Sequence, residues 1–376
     1  MDRSPQVSSR RHFLKASGLM TATLFGGTAL ISACGSNGQN PGSSSSGHTS
    51  GPATSSPVTQ PSTASGDSKK ARLTLALNWL VDYGFLGEVV ALEKGYYDEA
   101  GVNLTILPGG PSIDPNQLLG AGTANLSEGS SSAAMMARSA GVPLKAIAAV
   151  SQGHPYAYFS LPKDPVHAPK DLVGKTIGLP NTGLPILEAV LAANGIARSD
   201  VKTVTVGNDF SALASGRVQV MTGYYTSLQA QRAALGDDYV VMKLDDAGVH
   251  LYAYMYSARE DILESQSDAL QDLLVASSRG WQFARENPDE AVDILVKYNP
   301  ANKKEPQLDS TKLLEPLVWG PDTKTNGWGW MSDEKWKQQL DLYKKIGQFK
   351  SGAVPTVDEI MSLEILKATA DQRVKG

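Results

Sequence analysis

A single cysteine, Cys34, occurs among 376 residues, so an intrachain disulfide is excluded and no Cys-x-x-Cys pair exists for a metal or redox centre. Histidine is scarce too, five in all, and no His-x-x-x-His pair or dense carboxylate cluster has metal-ligand spacing. No metal or other cofactor is expected. Neither a Gly-x-Ser-x-Gly elbow nor a phosphate-binding loop occurs, which removes the usual starting points for nucleophilic and phosphoryl-transfer enzymes. An excess of positive charge is also missing: 34 basic residues face 38 acidic ones for a net charge of −4, so nucleic acid is not an expected partner. Long apolar runs are absent as well. The best candidate, Gly18–Ala33, is shorter than the roughly 20 residues that span a bilayer and is diluted by Gly18, Gly26, Gly27 and threonines.

What is present at the N-terminus is ordered. Ser9-Arg10-Arg11-His12-Phe13-Leu14-Lys15 precedes that weakly apolar stretch and resembles a twin-arginine export signal. Leu30-Ile31-Ser32-Ala33-Cys34 then sets small residues before the lone cysteine, as in a bacterial lipobox. The expectation is a signal peptide over 1–33 that is removed, leaving Cys34 as a lipidated first residue on the extracytoplasmic face of the membrane. Residues 34–71 are rich in Ser, Gly, Thr and Pro with almost nothing apolar, and cannot offset their own ordering entropy. They read as a flexible tether with a reach of about 35 Å. Setting aside residues 1–33 removes four of the 34 basic residues and one of the 38 acidic ones, so the remainder carries a net charge of −7.

From Arg72 onward the chain is too long for one compact core, which implies two lobes. Leu73–Leu77 reads as a strand, Phe85–Leu92 as a helix and Val102–Ile106 as a strand, a βαβ unit that returns at Thr176–Leu179, Ile186–Ala193 and Val201–Val206. The expected fold class is α/β, two mainly parallel sheets flanked by helices. The aromatic segments Tyr156–Ser160 and Leu251–Tyr256 read as strands crossing between lobes. That divides the chain into lobe 1 at 72–157 and 254–376 and lobe 2 at 158–253. Helices are expected at Ala269–Glu286, Asp289–Tyr298, Asp309–Leu314 and, capped by Ser332, Asp333–Ile346.

Open α/β sheets bind ligands at the C-terminal ends of their strands. The loop after the first strand offers Trp79 as a flat apolar face, Asp82 as an acceptor and Tyr83 beside it. Glu128, Ser130 and Ser131 precede the helix that begins near Ala133, and Asn181 and Thr182, with Glu188 one turn on, form the matching element of lobe 2. Tyr224 and Tyr225 supply a facing aromatic wall. Each has a plainer alternative: Trp79 as core, Asp82 and the serines as helix caps, Glu128 and Glu188 as solvated carboxylates. His154 and His250 flank the crossovers without any partner spacing and read as structural histidines.

The order of several segments resembles a known family. Asn78-Trp79, Glu93-Lys94-Gly95-Tyr96-Tyr97, Ala140–Lys145, Asp171–Gly178, Val206–Phe210, Gly216–Val220, Gly223-Tyr224-Tyr225 and Met331–Trp336 are similar to the solute-binding proteins of thiamine-precursor, sulfonate, taurine and nitrate ABC importers. The resemblance implies a two-lobed periplasmic-binding-protein fold of type II, monomeric, closing on a small-molecule ligand and delivering it to a membrane permease. Asn125 and Gln219 stand where relatives usually have aspartate, and Glu128 where many have an apolar residue. The cleft loops hold carboxylates and no lysine or arginine, which favours a neutral or cationic nitrogen heterocycle over a free sulfonate or nitrate. Two other classes stand beside transport: an anchored sensor, and an enzyme like the fungal thiamine-pyrimidine synthases, which carry a cysteine cluster that is absent here.

Overall fold

The computed structural model describes residues 70–376 apart from 111, 208, 350 and 351 and the side chain of Asn181. The expected export signal, with Arg10 and Arg11, Cys34 and the tether up to residue 69 lie outside the described residues.

Among the described residues ten strands form two five-stranded sheets. The first contains β1 (Ala71–Ala76), β2 (Val102–Leu107), β3 (Leu126–Gly129), β4 (Leu144–Ser151) and β10 (Ala253–Arg259), in the order β2-β1-β3-β10-β4. The second contains β5 (Tyr156–Ser160), β6 (Thr176–Leu179), β7 (Lys202–Thr205), β8 (Val220–Tyr224) and β9 (Val240–Lys243), in the order β7-β6-β8-β5-β9. Within each sheet four strands run one way and the fifth, β10 or β5, runs antiparallel between two of them. The two sheets therefore share one plan. The inserted strand is in each case the one that follows or precedes a passage to the other sheet, the aromatic segments noted in the sequence.

The burial patterns follow from position. β4, β5 and β10 are covered on both faces and read as continuous apolar runs, whereas β2 alternates between buried and exposed because one face meets solvent. β1 is already paired at Ala71, opposite Val102. The helix Lys304–Val318 is much longer than the Asp309–Leu314 expected from its prolines. Pro306 falls in the first turn, where its missing N–H has no intrahelical acceptor to lose, and Pro316 lies so near the end that only the last turn bears its cost.

Two helices are drawn unusually close beneath the first sheet. A Cβ on Gly87 would lie 2.2 Å from the Trp281 ring, and one on Gly280 would lie 2.1 Å from the Gly87 carbonyl oxygen. Both positions need glycine for the helices Leu86–Glu93 and Ser267–Glu286 to touch backbone to backbone. That contact carries Glu88 inward to receive the Trp281 Nε1–H at 3.1 Å. Among the described residues no helix is long and apolar enough to cross a membrane, and no group of three His, Cys, Asp or Glu side chains is placed to hold a metal ion.

Candidate functional site

The C-terminal ends of β1, β3 and β8 and the two crossing segments meet around one ring, Tyr224. His154 lies edge-on to it at 5.3 Å between centroids, Tyr254 at 5.9 Å and Tyr156 at 6.4 Å, all near perpendicular. Tyr83 and Asp82 act on it electrostatically from the loop after β1, and Glu128 from the end of β3. These residues come from both sheets, so the cluster exists only when the chain is folded.

The loop after β1 is held from three directions. Asn299 and Asn302 donate to the Val81 carbonyl at 2.8 and 3.0 Å, and the Tyr83 N–H donates to Gln307 Oε1 at 2.8 Å. Asp82 caps the short turn Tyr83–Phe85, accepting the Gly84 N–H at 2.9 Å. Gly84 has no side chain because the Tyr254 ring passes where one would begin, 2.4 Å from a Cβ. Tyr254 itself adopts φ 48°, a conformation that bulky residues rarely occupy outside functional sites, and this turns its ring toward Tyr83 and Tyr224 rather than along the sheet.

Three carboxyls converge here, and the charges acting on Glu128 are those of the other two. Glu128 is 1 % exposed, directly opposite Tyr256 across β3 and β10, and neither of its oxygens accepts a well-formed hydrogen bond, although the Asn78 N–H lies near enough to favour its charge. Burial first, then the charges of Glu88 and Asp82, push the Glu128 carboxyl well above its ordinary range. Glu88, also 1 % exposed, accepts from Tyr256 and Trp281 on one oxygen and has no partner on the other; burial raises it too. Burial lifts Asp82 to about 7 against the Gly84 hydrogen bond. The cation acting on His154 is Lys335, which is itself committed to the Gln152 carbonyl oxygen and lies 4.2 Å over the Tyr252 ring.

The residues expected at the site divide accordingly. Asp82, Tyr83, Glu128 and Tyr224 are brought together. Trp79 is half-buried against the main core, and its carbonyl accepts the Gly109 N–H. Ser130 caps the helix Ser131–Ser139 and bonds Ser132 at 2.9 Å, while Ser131 is fully buried, accepting the Tyr252 N–H at 3.0 Å, so its hydroxyl serves the backbone. Thr182 is exposed, and Asn181 sits in the same short turn with its side chain outside the described residues. Glu188 is bound to Gln348 and stands 4.0 Å from Arg198, away from the Tyr224 cluster. Tyr225 turns to the opposite side from Tyr224, packing on the second core with Lys243 4.7 Å over its ring. The structure adds Asn78, Glu88, His154, Tyr156, Thr226 and Tyr254. Asn78 opens the loop expected after the first strand, Thr226 follows the expected tyrosine pair, Tyr156 and Tyr254 lie in the aromatic segments and His154 was read as structural, so Glu88 alone carried no sequence signal.

A family description, NMT1/THI5 like, matches residues 83–291 of the 376. The chain belongs to this family. Among relatives of this NMT1/THI5-like protein, a formylaminopyrimidine-binding protein of Halalkalibacterium halodurans is 27 % identical over 297 residues, covering 75 % of this chain and 87 % of its own. A riboflavin-binding protein of Chloroflexus aurantiacus is 26 % identical over 288 residues, 73 % of this chain and 81 % of its own. A 4-amino-5-hydroxymethyl-2-methylpyrimidine phosphate synthase of Legionella pneumophila is 26 % identical over 238 residues, 62 % and 75 %. Among solved structures, the periplasmic aliphatic sulphonate binding protein of Escherichia coli superposes with a TM-score of 0.61 at 16 % identity, over 81 % of this chain and 94 % of that one. The two-sheet architecture is thus the periplasmic-binding-protein fold.

Proposed function

We propose that this NMT1/THI5-like chain is the solute-binding lipoprotein of an ABC importer. In this reading it is held as a monomer on the extracytoplasmic membrane face by lipid on Cys34, and it captures a small nitrogenous heteroaromatic ligand, of the thiamine-pyrimidine-precursor kind, between its two halves. The lobes of this reading are 72–157 with 254–376, and 158–253. The observation that carries the ligand class is Glu128, a buried carboxyl whose oxygens accept no well-formed hydrogen bond among the described residues, close to the Tyr224 cluster and two further carboxyls. An anion placed there stands beside acidic side chains and opposes their ionisation, so it gains no charge partner. An aminopyrimidine brings adjacent N–H donors, on its exocyclic amine and, when protonated, on its ring, that match the two carboxylate oxygens. Tyr224, Tyr254 and Tyr156 supply the apolar surface for the ring. The Halalkalibacterium and Chloroflexus relatives, each named as a binder of a nitrogen heteroaromatic, support the same reading. A synthase reading, prompted by the Legionella relative, has no cysteine cluster behind it, since Cys34 is the sole cysteine.

The test is calorimetric titration of the Cys34→Ala protein with 4-amino-5-hydroxymethyl-2-methylpyrimidine, riboflavin and taurine. Micromolar or tighter binding of the aminopyrimidine is expected, with at least a tenfold loss in Glu128→Gln, about 1.4 kcal/mol. Binding of taurine with no response to either heteroaromatic probe reverses the ligand class.

A further inference from the structure

His154 occupies the passage between β4 and β5, where a structural role was expected from sequence. The fold gives that role to one ring nitrogen only. The Tyr156 N–H donates to Nδ1 at 3.2 Å, so Nδ1 holds a lone pair and, in the neutral ring, the proton sits on Nε2. The neutral form is the one favoured: the side chain is 2 % exposed, and burial, assisted by the Lys335 charge, lowers its pKa to about 3. The ring cannot swing to find a partner. It is edge-on to Tyr156 at 6.0 Å and to Tyr224 at 5.3 Å, and Ser151 ties the preceding turn by donating to the Gly153 carbonyl at 2.6 Å. Nε2 is nonetheless buried without a hydrogen-bond partner among the described residues. Buried Trp328 and Trp336 Nε1–H groups are likewise without a partner among the described residues, but of the three only the His154 donor stands in ring contact with Tyr224 at the meeting point of the two sheets. It lies against the same Tyr224 ring that feels the Glu128 charge.

We propose that His154 is a specificity-determining ligand contact whose Nε2–H donates to an acceptor atom of the bound solute. Taken with the proposed function, on which this point rests, the site demands a ligand with a donor edge for Glu128 and an acceptor on the side of the crossing segment. A hydroxymethyl oxygen, a ring nitrogen or a formyl oxygen meets the second demand; a purely donating amine does not.

The experiment compares wild type, His154→Phe and His154→Gln in the full mature chain. Phenylalanine retains a flat ring for the edge contacts and removes the donor, whereas glutamine places an amide N–H near the Nε2 position and cannot replace the Nδ1 acceptor. Titrated with 4-amino-5-hydroxymethyl-2-methylpyrimidine and with taurine, the phenylalanine variant is expected to bind about tenfold more weakly and the glutamine variant within about threefold of wild type. Equal losses in both variants assign the effect to Nδ1 and overturn the proposal, as does wild-type affinity in His154→Phe. If taurine binds and the aminopyrimidine does not, yet the two variants still differ in this way, the proposed ligand class falls while the His154 contact stands. A ligand-free arm reads the ring directly. The 15N spectrum of the empty protein is expected to show the Nε2–H tautomer with no titration down to pH 5, and an Nδ1–H tautomer or a midpoint near 6.5 overturns the assignment.

Discussion

The Tyr83 hydroxyl and Thr226 Oγ1 share a hydrogen bond of 2.7 Å, joining the loop after β1 to the turn after β8, and both residues are buried. This bond joins the first-sheet side to the second-sheet side at the edge of the Tyr224 cluster, so in the proposed function separation of the two halves would break it. Tyr83→Phe leaves Thr226 with a buried, unpaired hydroxyl, which costs about 1–3 kcal/mol. The expected result is a fivefold or greater loss of ligand affinity by calorimetry, with part of it recovered in the double variant Tyr83→Phe, Thr226→Val, where neither partner is orphaned. A double variant weaker than the product of the single losses argues against a closure bond.

The buried Glu88 and Glu128 and the half-buried Asp82 set a pH dependence whose sign can be worked out. Asp82 is raised from an ordinary 3.8 to about 7, and Glu88 and Glu128 are raised as well, so between about pH 4 and 7 the folded chain holds more protons than the unfolded one. The stability they contribute is complete below pH 4 and is lost as pH rises through their folded values. His154, lowered to about 3, works oppositely but only up to its unfolded value near 6.5. Thermal melts of the ligand-free protein at constant ionic strength are expected to fall from pH 5 to pH 8, and Asp82→Asn is expected to flatten the curve around pH 7. An unchanged slope in that variant removes Asp82 as a source.

Gly183 lies at the N-terminal end of the helix Leu184–Ala193, where a Cβ would sit 2.3 Å from the Tyr156 hydroxyl oxygen. Its φ of −83° suits any residue, so the demand for glycine is steric alone. Gly183→Ala is expected to destabilise the protein by about 1–3 kcal/mol in denaturant titration and to displace the Tyr156 ring toward Tyr224. Adding Tyr156→Phe removes the clashing oxygen and is expected to restore most of that loss. No restoration assigns the defect to the helix start instead.

Cys34→Ala tests the anchor. The variant is expected to fold with an unchanged melting temperature and to move from the detergent-extracted membrane fraction to the soluble one. Membrane association equal to wild type excludes lipid on Cys34 as its cause.

Much of the architecture was legible because hydrophobic period and chain length are local properties. The βαβ alternation, the two aromatic crossing strands and the Ser332 cap are each visible in a window of a dozen residues, and Ser332 does accept the Lys335 N–H at 3.3 Å. The rule that ligands meet the C-terminal ends of strands led to Asp82, Tyr83, Glu128 and Tyr224. The same rule proposed Tyr225, which the structure turns away, because neighbouring residues at a strand end point to opposite faces and pleat phase is decided by pairing, here Tyr224 opposite Tyr156. Glu188 and Ser131 were reasonable acceptors whose oxygens are taken by Gln348 and by the Tyr252 backbone, partners 160 and 121 residues distant. Glu88 gave no signal at all, and His154 was read only as a structural histidine beside a crossing segment. Their importance lies in an unpaired nitrogen and an unpaired oxygen, and whether a buried polar atom is satisfied depends on what every other part of the chain brings near it. The sequence by itself determined the order of elements and the chemical types available at the strand ends. Only the tertiary structure decided which of those groups lost their water without gaining a partner, since desolvation is a property of the packed whole and not of any segment.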